Sequence, residues 1–134
     1  MTSVPSGKNA PRIVIDLDDT LTIDDGRPYP EKRVNSEVLA RLREYRARGF
    51  QVAIYTARNM RTFEQSLGKI AAFTLPVIIK WLNDNDVPFD EIYIGKPWCG
   101  EGGFYVDDKA VRPDEFVGKS YDELLALVGA SAPQ

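Results

Sequence analysis

A short apolar run that ends in carboxylates constrains the fold more than any other part of this chain. It reads Ile13-Val14-Ile15-Asp16-Leu17-Asp18-Asp19-Thr20. Alternation along a strand predicts that Asp16 and Asp18 lie on the same side as Val14. At an effective dielectric of about 20, two carboxylates roughly 4 Å apart repel by about 4 kcal/mol. A protein rarely accepts that cost at the edge of its core unless a cation or a proton relieves it.

A second acidic pair, Asp107 and Asp108, follows another apolar run at residues 103–106. If the two strands are neighbours, four carboxylates converge, and oxygen ligands of this kind suit Mg²⁺ rather than Zn²⁺. A single Asp after a strand is more often a turn former or a helix cap, which is how we interpret Asp19. Because the pattern occurs twice, we expect a magnesium site.

Composition excludes several classes of function. The chain has 134 residues, a net charge of −3 and no histidine. The charge gives no electrostatic case for binding nucleic acid or a membrane. Without histidine, Ser-His-Asp and Cys-His catalysis are excluded and a typical zinc site is improbable. One cysteine, no signal region and no membrane-spanning apolar run favour the cytoplasm.

Strand patterns and helix patterns alternate along the chain. The predicted strands are 12–17, which we expect to be fully buried, 51–55, 91–94, 103–106 and a short one near Phe116. The predicted helices are 35–48, one capped by Thr74 with Pro76 in its first turn, and one started by a capping box at residues 120–123. This order predicts an α/β fold with a parallel sheet covered on both faces, and ligands beyond the carboxyl ends of the strands where strand order reverses.

The domain boundaries follow from the composition of the two ends. Residues 1–11 and 130–134 are predicted to be flexible tails, and 12–129 a single domain. Within it, the polar stretch 59–69, which we call the polar segment, is predicted to be mobile and partly helical.

Four motifs in chain order resemble the haloacid dehalogenase (HAD) superfamily of phosphatases. They are Asp16-Leu17-Asp18-Asp19-Thr20, Tyr55-Thr56-Ala57-Arg58, Ile94-Gly95-Lys96-Pro97 and Val106-Asp107-Asp108. Additional residues are similar to the small phosphatases of bacterial capsule biosynthesis: Thr74-Leu75-Pro76, Trp81-Leu82, Trp98, Gly103 to Lys109 and Arg112-Pro113. The resemblance implies a three-layer, Rossmann-like HAD core. It also implies hydrolysis of a small phosphorylated substrate, a sugar or polyol in surface-polysaccharide synthesis.

The resemblance also implies roles for the acidic residues. Asp16 would attack phosphorus and form an aspartyl-phosphate. The Asp18 side chain would protonate the leaving oxygen and then activate water. Mg²⁺ would be held by Asp16, the Asp18 carbonyl and Asp107, with Asp108 as a further ligand or as the partner of one.

The same resemblance implies residues that bind the phosphoryl group. Thr56 and nearby backbone N–H groups, with Ala57 beside it, would hold phosphoryl oxygens. Lys96 would bridge a phosphoryl oxygen and Asp16, with Lys80 as the rival lysine. Arg58 and Arg61 would either contact an anionic substrate or form a solvated face.

Many HAD relatives carry a cap domain over the site. Here the intervals 21–50 and 59–90 are too short to bury a separate core, so we expect no large cap. The cover would come either from a neighbouring subunit in a homo-oligomer or from the polar segment.

Three other functions fit parts of the pattern. A receiver domain in signalling has a similar acidic pair, but Tyr55-Thr56 supplies no phospho-accepting Asp. A non-catalytic binding module would lack Asp16 or Asp18. A phosphatase acting on nucleic-acid ends or phosphoproteins is the rival within the enzymes, and the absence of a basic surface argues against the nucleic-acid version.

Overall fold

The computed structural model describes residues 10–96, 105–107 and 109–130. The chain forms two compact units, Met1–Trp98 and Cys99–Gln134. The parallel sheet and the predicted catalytic motifs up to Lys96 belong to the first unit. Asp108, half of the predicted strand 103–106 and most of both tails lie outside the described residues, and the single-domain boundary 12–129 stays a prediction.

The first unit is built on a parallel sheet in the order β1-β2-β3. The strands are β1 (Arg12–Asp16), β2 (Gln51–Thr56) and β3 (Glu91–Ile94). Pairing aligns Asp16 with Tyr55 and Thr56 with Ile94, so the carboxyl ends of all three described strands share one edge. The predicted α/β fold, a small Rossmann-like core with a parallel sheet, is confirmed. The described strands lie in the sheet in the same order as in the chain, so the point at which strand order was predicted to reverse is not among them.

Alternation along the strands gives the sheet two different faces. Ile15, Val52 and Ile54 are buried on one face, whereas Val14, on the other, is 52% exposed. On that second face Arg12 and Glu91 form an ion pair of 3.2 Å across the sheet. The expectation that residues 12–17 are fully buried is therefore wrong, because alternate residues of β1 point away from the buried side. That helices also cover the second face stays a prediction.

The two longest helices of the first unit bury apolar side chains. Helix α1 (Ser36–Ala47) begins after Asn35, whose side chain accepts from the Val38 N–H at 3.3 Å. Gly49 follows it with φ +95, the left-handed conformation that ends helices. Helix α3 (Leu75–Asp84) buries Ile78, Trp81 and Leu82. Because crossovers between parallel strands are almost always right-handed, the strand order β1-β2-β3 implies that α1 and α3 share one face of the sheet.

Thr74 does not cap a helix, contrary to the prediction. Helix α2 (Leu67–Lys69) begins at Ser66, whose hydroxyl accepts from the Lys69 N–H at 3.3 Å. A π-helical turn (Ile70–Thr74) then joins α2 to α3, with helical backbone at Thr74. The Thr74 hydroxyl donates to Asn59 Oδ1 at 2.7 Å instead, so it fixes the polar segment to this helix.

The second unit contains two short helices in its described part. Helix α4 (Pro113–Gly118) includes Phe116, so the predicted strand there is wrong: Pro113 sits in the first turn, where proline favours a helix. Tyr105 and Val106 are not in a strand. Helix α5 (Tyr121–Leu127) has the predicted capping box, in which Ser120 and Glu123 exchange hydrogen bonds of 2.9 and 3.2 Å.

The intervals on either side of β2 hold no separate core. Residues 21–50 supply a loop and α1, and 59–90 supply turns, α2 and α3. For these two intervals, the prediction of a core without a large cap is confirmed. None of the helices in the described part of the chain combines the length and apolar character needed to cross a bilayer.

Candidate active site

A wide turn at the end of β1 separates the first two aspartates. It spans Leu17–Leu21 and is closed by a hydrogen bond of 3.0 Å from the Thr22 N–H to the Leu17 carbonyl. Leu17 and Leu21 are almost fully buried and anchor it. Asp19 has φ +63 and its N–H donates to Thr22 Oγ1, which confirms it as a turn residue. Burial and the charges of Asp24 and Asp18 raise the pKa of Asp19.

Asp16, the last residue of β1, lies beside a lysine. Its Oδ1 is 3.6 Å from Nζ of Lys96, and the two side chains are 33% and 11% exposed. Burial raises the pKa of Asp16, the nearby charge of Asp18 raises it further, and Lys96 lowers it without reversing the shift. Burial is the largest of these causes, because removing the carboxylate from water disfavours its ionised form.

Lys96 is held by the end of the neighbouring strand. Its N–H donates to the Thr56 carbonyl at 3.1 Å, and its Nζ lies 4.1 Å from the centre of the Tyr55 ring. The rival, Lys80, pairs with Asp84 on the outside of α3 and is 77% exposed. Of the two candidate lysines, the structure brings Lys96 to Asp16.

The neighbours of Asp18 differ from those of Asp16. Its Oδ2 accepts from the Thr56 hydroxyl at 2.9 Å. Its Oδ1 accepts from Nε of Arg58 at 3.2 Å and from Nη2 at 2.7 Å. The Arg58 N–H in turn donates to Thr56 Oγ1 at 2.9 Å. Thr56 and Arg58 come from the second motif, so the structure joins the first two motifs through the Asp18 carboxylate.

Thr56 is fully buried and its hydroxyl is already engaged. A hydroxyl has one proton, and here that proton goes to Asp18. Contact with a phosphoryl oxygen would require the hydroxyl to rotate. The predicted role of Thr56 in binding substrate stays a prediction, as does that of Ala57 beside it.

Sequence reasoning missed Tyr29. It lies in a short 3-10 turn (Tyr29–Glu31), and its ring centre is 3.9 Å from Cζ of Arg58. Burial raises the pKa of Tyr29, and Asp18 and Asp19 raise it further. In the sequence, Pro28 and Pro30 flank Tyr29 and predict only a loop. Because a loop has no hydrophobic periodicity, the sequence pattern does not indicate that Tyr29 contacts Arg58.

The loop that carries Tyr29 is attached to the core at its base. Asp25 accepts hydrogen bonds from the N–H groups of Arg27 and Arg33, at 3.1 and 3.3 Å. The Trp81 indole N–H donates to the Lys32 carbonyl at 2.8 Å. These bonds fix the position from which Tyr29 covers Arg58.

The polar segment follows Arg58 directly. Residues 58–65 form turns and only Leu67–Lys69 is helical, which agrees with the prediction of a partly helical segment. Arg61 is exposed, and within the described residues its side chain has no ion pair. Leu67 lies against Gly95, where an added Cβ would be 2.3 Å from Leu67 Cδ2. The segment therefore contacts the residue that precedes Lys96.

The convergence of four carboxylates stays a prediction. Within residues 10–96, 105–107 and 109–130, no group of three or more His, Cys, Asp or Glu side chains could hold a metal ion. Asp107 belongs to the second unit, where its Oδ1 accepts from the Lys109 N–H at 2.9 Å. Asp108 lies outside the described residues, so its role as a ligand is untested.

Comparison with known proteins identifies the family. Residues 13–83 match the haloacid dehalogenase-like hydrolases. A crystal structure of a protein from Vibrio cholerae is 47% identical, covers 89% of this chain and 97% of that one, and superposes with a TM-score of 0.86.

A more distant structure shows the same fold only. A chain of the Pnkp1/Rnl/Hen1 complex is 20% identical with a TM-score of 0.50, and the match covers 84% of this chain and 36% of that one. No curated protein matches this sequence. The family match spans the turn after β1, the second motif and Tyr29; this chain belongs to the haloacid dehalogenase-like hydrolases.

Proposed function

We propose that the protein is a Mg²⁺-dependent phosphomonoester hydrolase that acts through an aspartyl-phosphate on Asp16. One observation carries the proposal: two carboxylates separated by a single residue have different partners. Asp16 lies beside Lys96, whereas both oxygens of Asp18 are held by Thr56 and Arg58. Two carboxylates with different surroundings suit two different roles in one reaction.

Asp16 is the proposed nucleophile. Its carboxylate oxygen attacks phosphorus, and the bond from phosphorus to the leaving oxygen breaks. The nearby Nζ of Lys96 offers positive charge to the phosphoryl oxygens, because a lysine is a compact point charge. The raised pKa of Asp16 fits a group whose ionised form needs a cation beside it.

Asp18 is the proposed proton carrier. It gives a proton to the leaving oxygen in the first step, and in the second step takes one from the water that cleaves the aspartyl-phosphate. Its side chain is 26% exposed, so it remains open to a bound substrate. The same carboxyl can serve both steps because the first leaves it ionised.

Oxygen ligands available on this chain fit Mg²⁺. The Asp16 carboxylate and the Asp18 carbonyl would hold it, with Asp107 and Asp108 completing the set. When bound, the ion would neutralise negative charge on the phosphoryl group.

We propose a small phosphorylated sugar or polyol as the substrate, in the synthesis of capsular or other surface polysaccharide in the cytoplasm. The resemblance of the third and fourth motifs to capsule-biosynthesis phosphatases supports this substrate class. The exposed Arg61 at the start of the polar segment is available to a leaving group. Cover by a neighbouring subunit and cover by the polar segment both remain compatible with a site that has no cap. Neither nucleic acid nor a membrane is a proposed partner, and membership in a hydrolase family argues against the receiver domain.

A screen of phosphate release over sugar phosphates, polyol phosphates, nucleotides and phosphopeptides tests this function. We expect Mg²⁺-dependent turnover that EDTA abolishes, and none in Asp16→Asn. Lys96→Met should lose at least ~10²-fold in kcat, whereas the matched control Lys80→Met, on the outside of α3, should behave as wild type. Full activity after exhaustive chelation would refute the requirement for Mg²⁺. Full activity of Asp16→Asn would refute the assignment of Asp16 as the nucleophile.

A further inference from the structure

Arg58 makes the most unusual contact near the site. Its side chain is 1% exposed although it carries a full positive charge. Two of its nitrogens, Nε and Nη2, donate to the same oxygen of Asp18. A buried guanidinium aimed at one oxygen of a carboxylate fixes the orientation of that carboxylate.

We propose that Arg58, covered by Tyr29, is a positioning residue for Asp18 and does not bind the phosphoryl group of the substrate. The inference rests on the proposed function, because it assigns Asp18 the role of proton carrier. It concerns the transfer of protons, whereas the proposed role of Lys96 concerns the charge of the phosphoryl group.

Geometry separates Arg58 from a substrate ligand. Arg58 holds Oδ1 of Asp18 while Thr56 holds Oδ2, so the plane of the carboxylate is set from both sides. The Arg58 N–H also donates to the Thr56 hydroxyl, which closes a ring of hydrogen bonds among the three residues. A substrate can reach the partly exposed Asp18 without displacing the buried guanidinium.

Tyr29 explains how a buried arginine is tolerated. The third nitrogen, Nη1, is buried and has no hydrogen-bond partner among the described residues. The face of the Tyr29 ring lies 3.9 Å from Cζ of Arg58, within the range of a cation–π contact. Tyr29 is 40% exposed, so its ring is the outer layer that separates the guanidinium from water.

A misplaced Asp18 should damage the two chemical steps unequally. An alkoxide leaving group needs a proton, so the first step depends on Asp18. A nitrophenolate leaves without one, so only the second step, the hydrolysis of aspartyl-phosphate, then depends on Asp18. Positioned proton transfer typically contributes about 10²–10⁴-fold to a rate.

The test compares Arg58→Ala and Tyr29→Ala with wild type on an alkyl phosphate and on p-nitrophenyl phosphate. For Arg58→Ala we expect a loss of at least ~10²-fold in kcat on the alkyl phosphate. On p-nitrophenyl phosphate we expect a burst of nitrophenolate, followed by slow turnover. Inhibition by inorganic phosphate should be unchanged, because phosphoryl binding is intact. Tyr29→Ala should lose part of the same activity, and Tyr29→Phe, which keeps the ring, should restore it.

Arg41→Ala serves as the matched control, since Arg41 pairs with Glu44 on α1. Weaker phosphate inhibition in Arg58→Ala, equal losses on both substrates without a burst, or full activity on both would each overturn the inference. If the wild-type protein releases phosphate from no substrate, the proposed function fails and the inference fails with it. Active wild type with undiminished Arg58→Ala overturns the inference alone.

Discussion

Removing the charge of Asp90 should destabilise this protein more than most single substitutions. Asp90 forms a doubly hydrogen-bonded ion pair with Arg46, with distances of 2.8 and 2.9 Å. The side chains are 9% and 5% exposed, and the Val52 N–H also donates to Asp90 at 2.8 Å. This pair ties the C-terminal part of α1 to the start of β2, at the opposite end of the strand from Thr56.

The size of the effect follows from what Asp90→Asn leaves behind. Arg46 would keep a buried charge, and its Nε already has no partner among the described residues. Leaving one member of a buried pair without its partner costs about 3–5 kcal/mol. For a small domain with about 5–15 kcal/mol of total stability, that is a large fraction. With a urea m-value of roughly 2 kcal/mol/M, the midpoint should fall by about 2 M.

Urea unfolding followed by far-UV circular dichroism measures this change. The double variant Arg46→Met with Asp90→Asn should be less destabilised than Asp90→Asn, because no unpaired charge remains. Asp84→Asn is the matched control, since its pair with Lys80 is exposed and should matter by less than about 1 kcal/mol. A cost for Asp90→Asn no larger than that of the control would refute the reasoning.

The same pair predicts a dependence on pH. Burial alone would raise the pKa of Asp90, but hydrogen bonds from Arg46 and the Val52 N–H outweigh it, so the pKa is lowered. A lowered pKa in the folded state means that the stabilisation is present above the ordinary value of about 3.9. It is lost as the pH falls through the folded value. The stability difference between wild type and Asp90→Asn should therefore be constant above about pH 5 and shrink below pH ~4.

Further predictions concern the turns and the polar segment. Gly49→Ala and Gly95→Ala both force a side chain into left-handed backbone, at about 1–2 kcal/mol each, but only Gly95→Ala also clashes with Leu67. Urea unfolding should show the larger loss for Gly95→Ala, and adding Leu67→Ala should bring it to the level of Gly49→Ala. Arg61→Ala should raise KM for the physiological substrate and leave the turnover of p-nitrophenyl phosphate nearly unchanged; equal damage to both would place Arg61 on the phosphoryl group or in the fold. Asp19→Asn should keep the left-handed turn and lose its repulsion from nearby carboxylates, so unfolding should need the same or slightly more urea; a marked loss would contradict this.

Local signals in the sequence were sufficient for several elements. Helix α1, strand β3 and the capping box of α5 depend on residues within a few positions of one another. Propensity and capping act over that distance, so a single sequence contains them.

Elements decided by long-range contacts were predicted poorly. Thr74 has the residue type of a cap, but its hydroxyl bonds to Asn59, 15 positions away. Val14 lies in an apolar run, but whether its face of the sheet is covered depends on residues distant in the sequence, and Val14 is 52% exposed. Residue type alone did not reveal either outcome.

The candidate site likewise contains one contact that was predicted from the sequence and others that were not. Asp16 and Lys96 were predicted as a pair from the resemblance of their motifs to the HAD superfamily, with Lys80 as the rival lysine, and in the structure their side chains lie 3.6 Å apart. The fork between Arg58 and Asp18 joins residues 40 positions apart, and the contact of Tyr29 depends on how its loop is anchored. Periodicity gives no account of either contact, since neither lies on a regular element.

The bond between the Trp81 indole and the Lys32 carbonyl gives the protein an intrinsic optical probe. The sequence has two tryptophans, and Trp81 is 3% exposed. Its N–H is bonded to the backbone of the loop that carries Tyr29. Release of that loop would expose the indole to water and shift its emission to longer wavelength. In a Trp98→Phe background, stopped-flow fluorescence can therefore follow the loop during turnover without an attached dye.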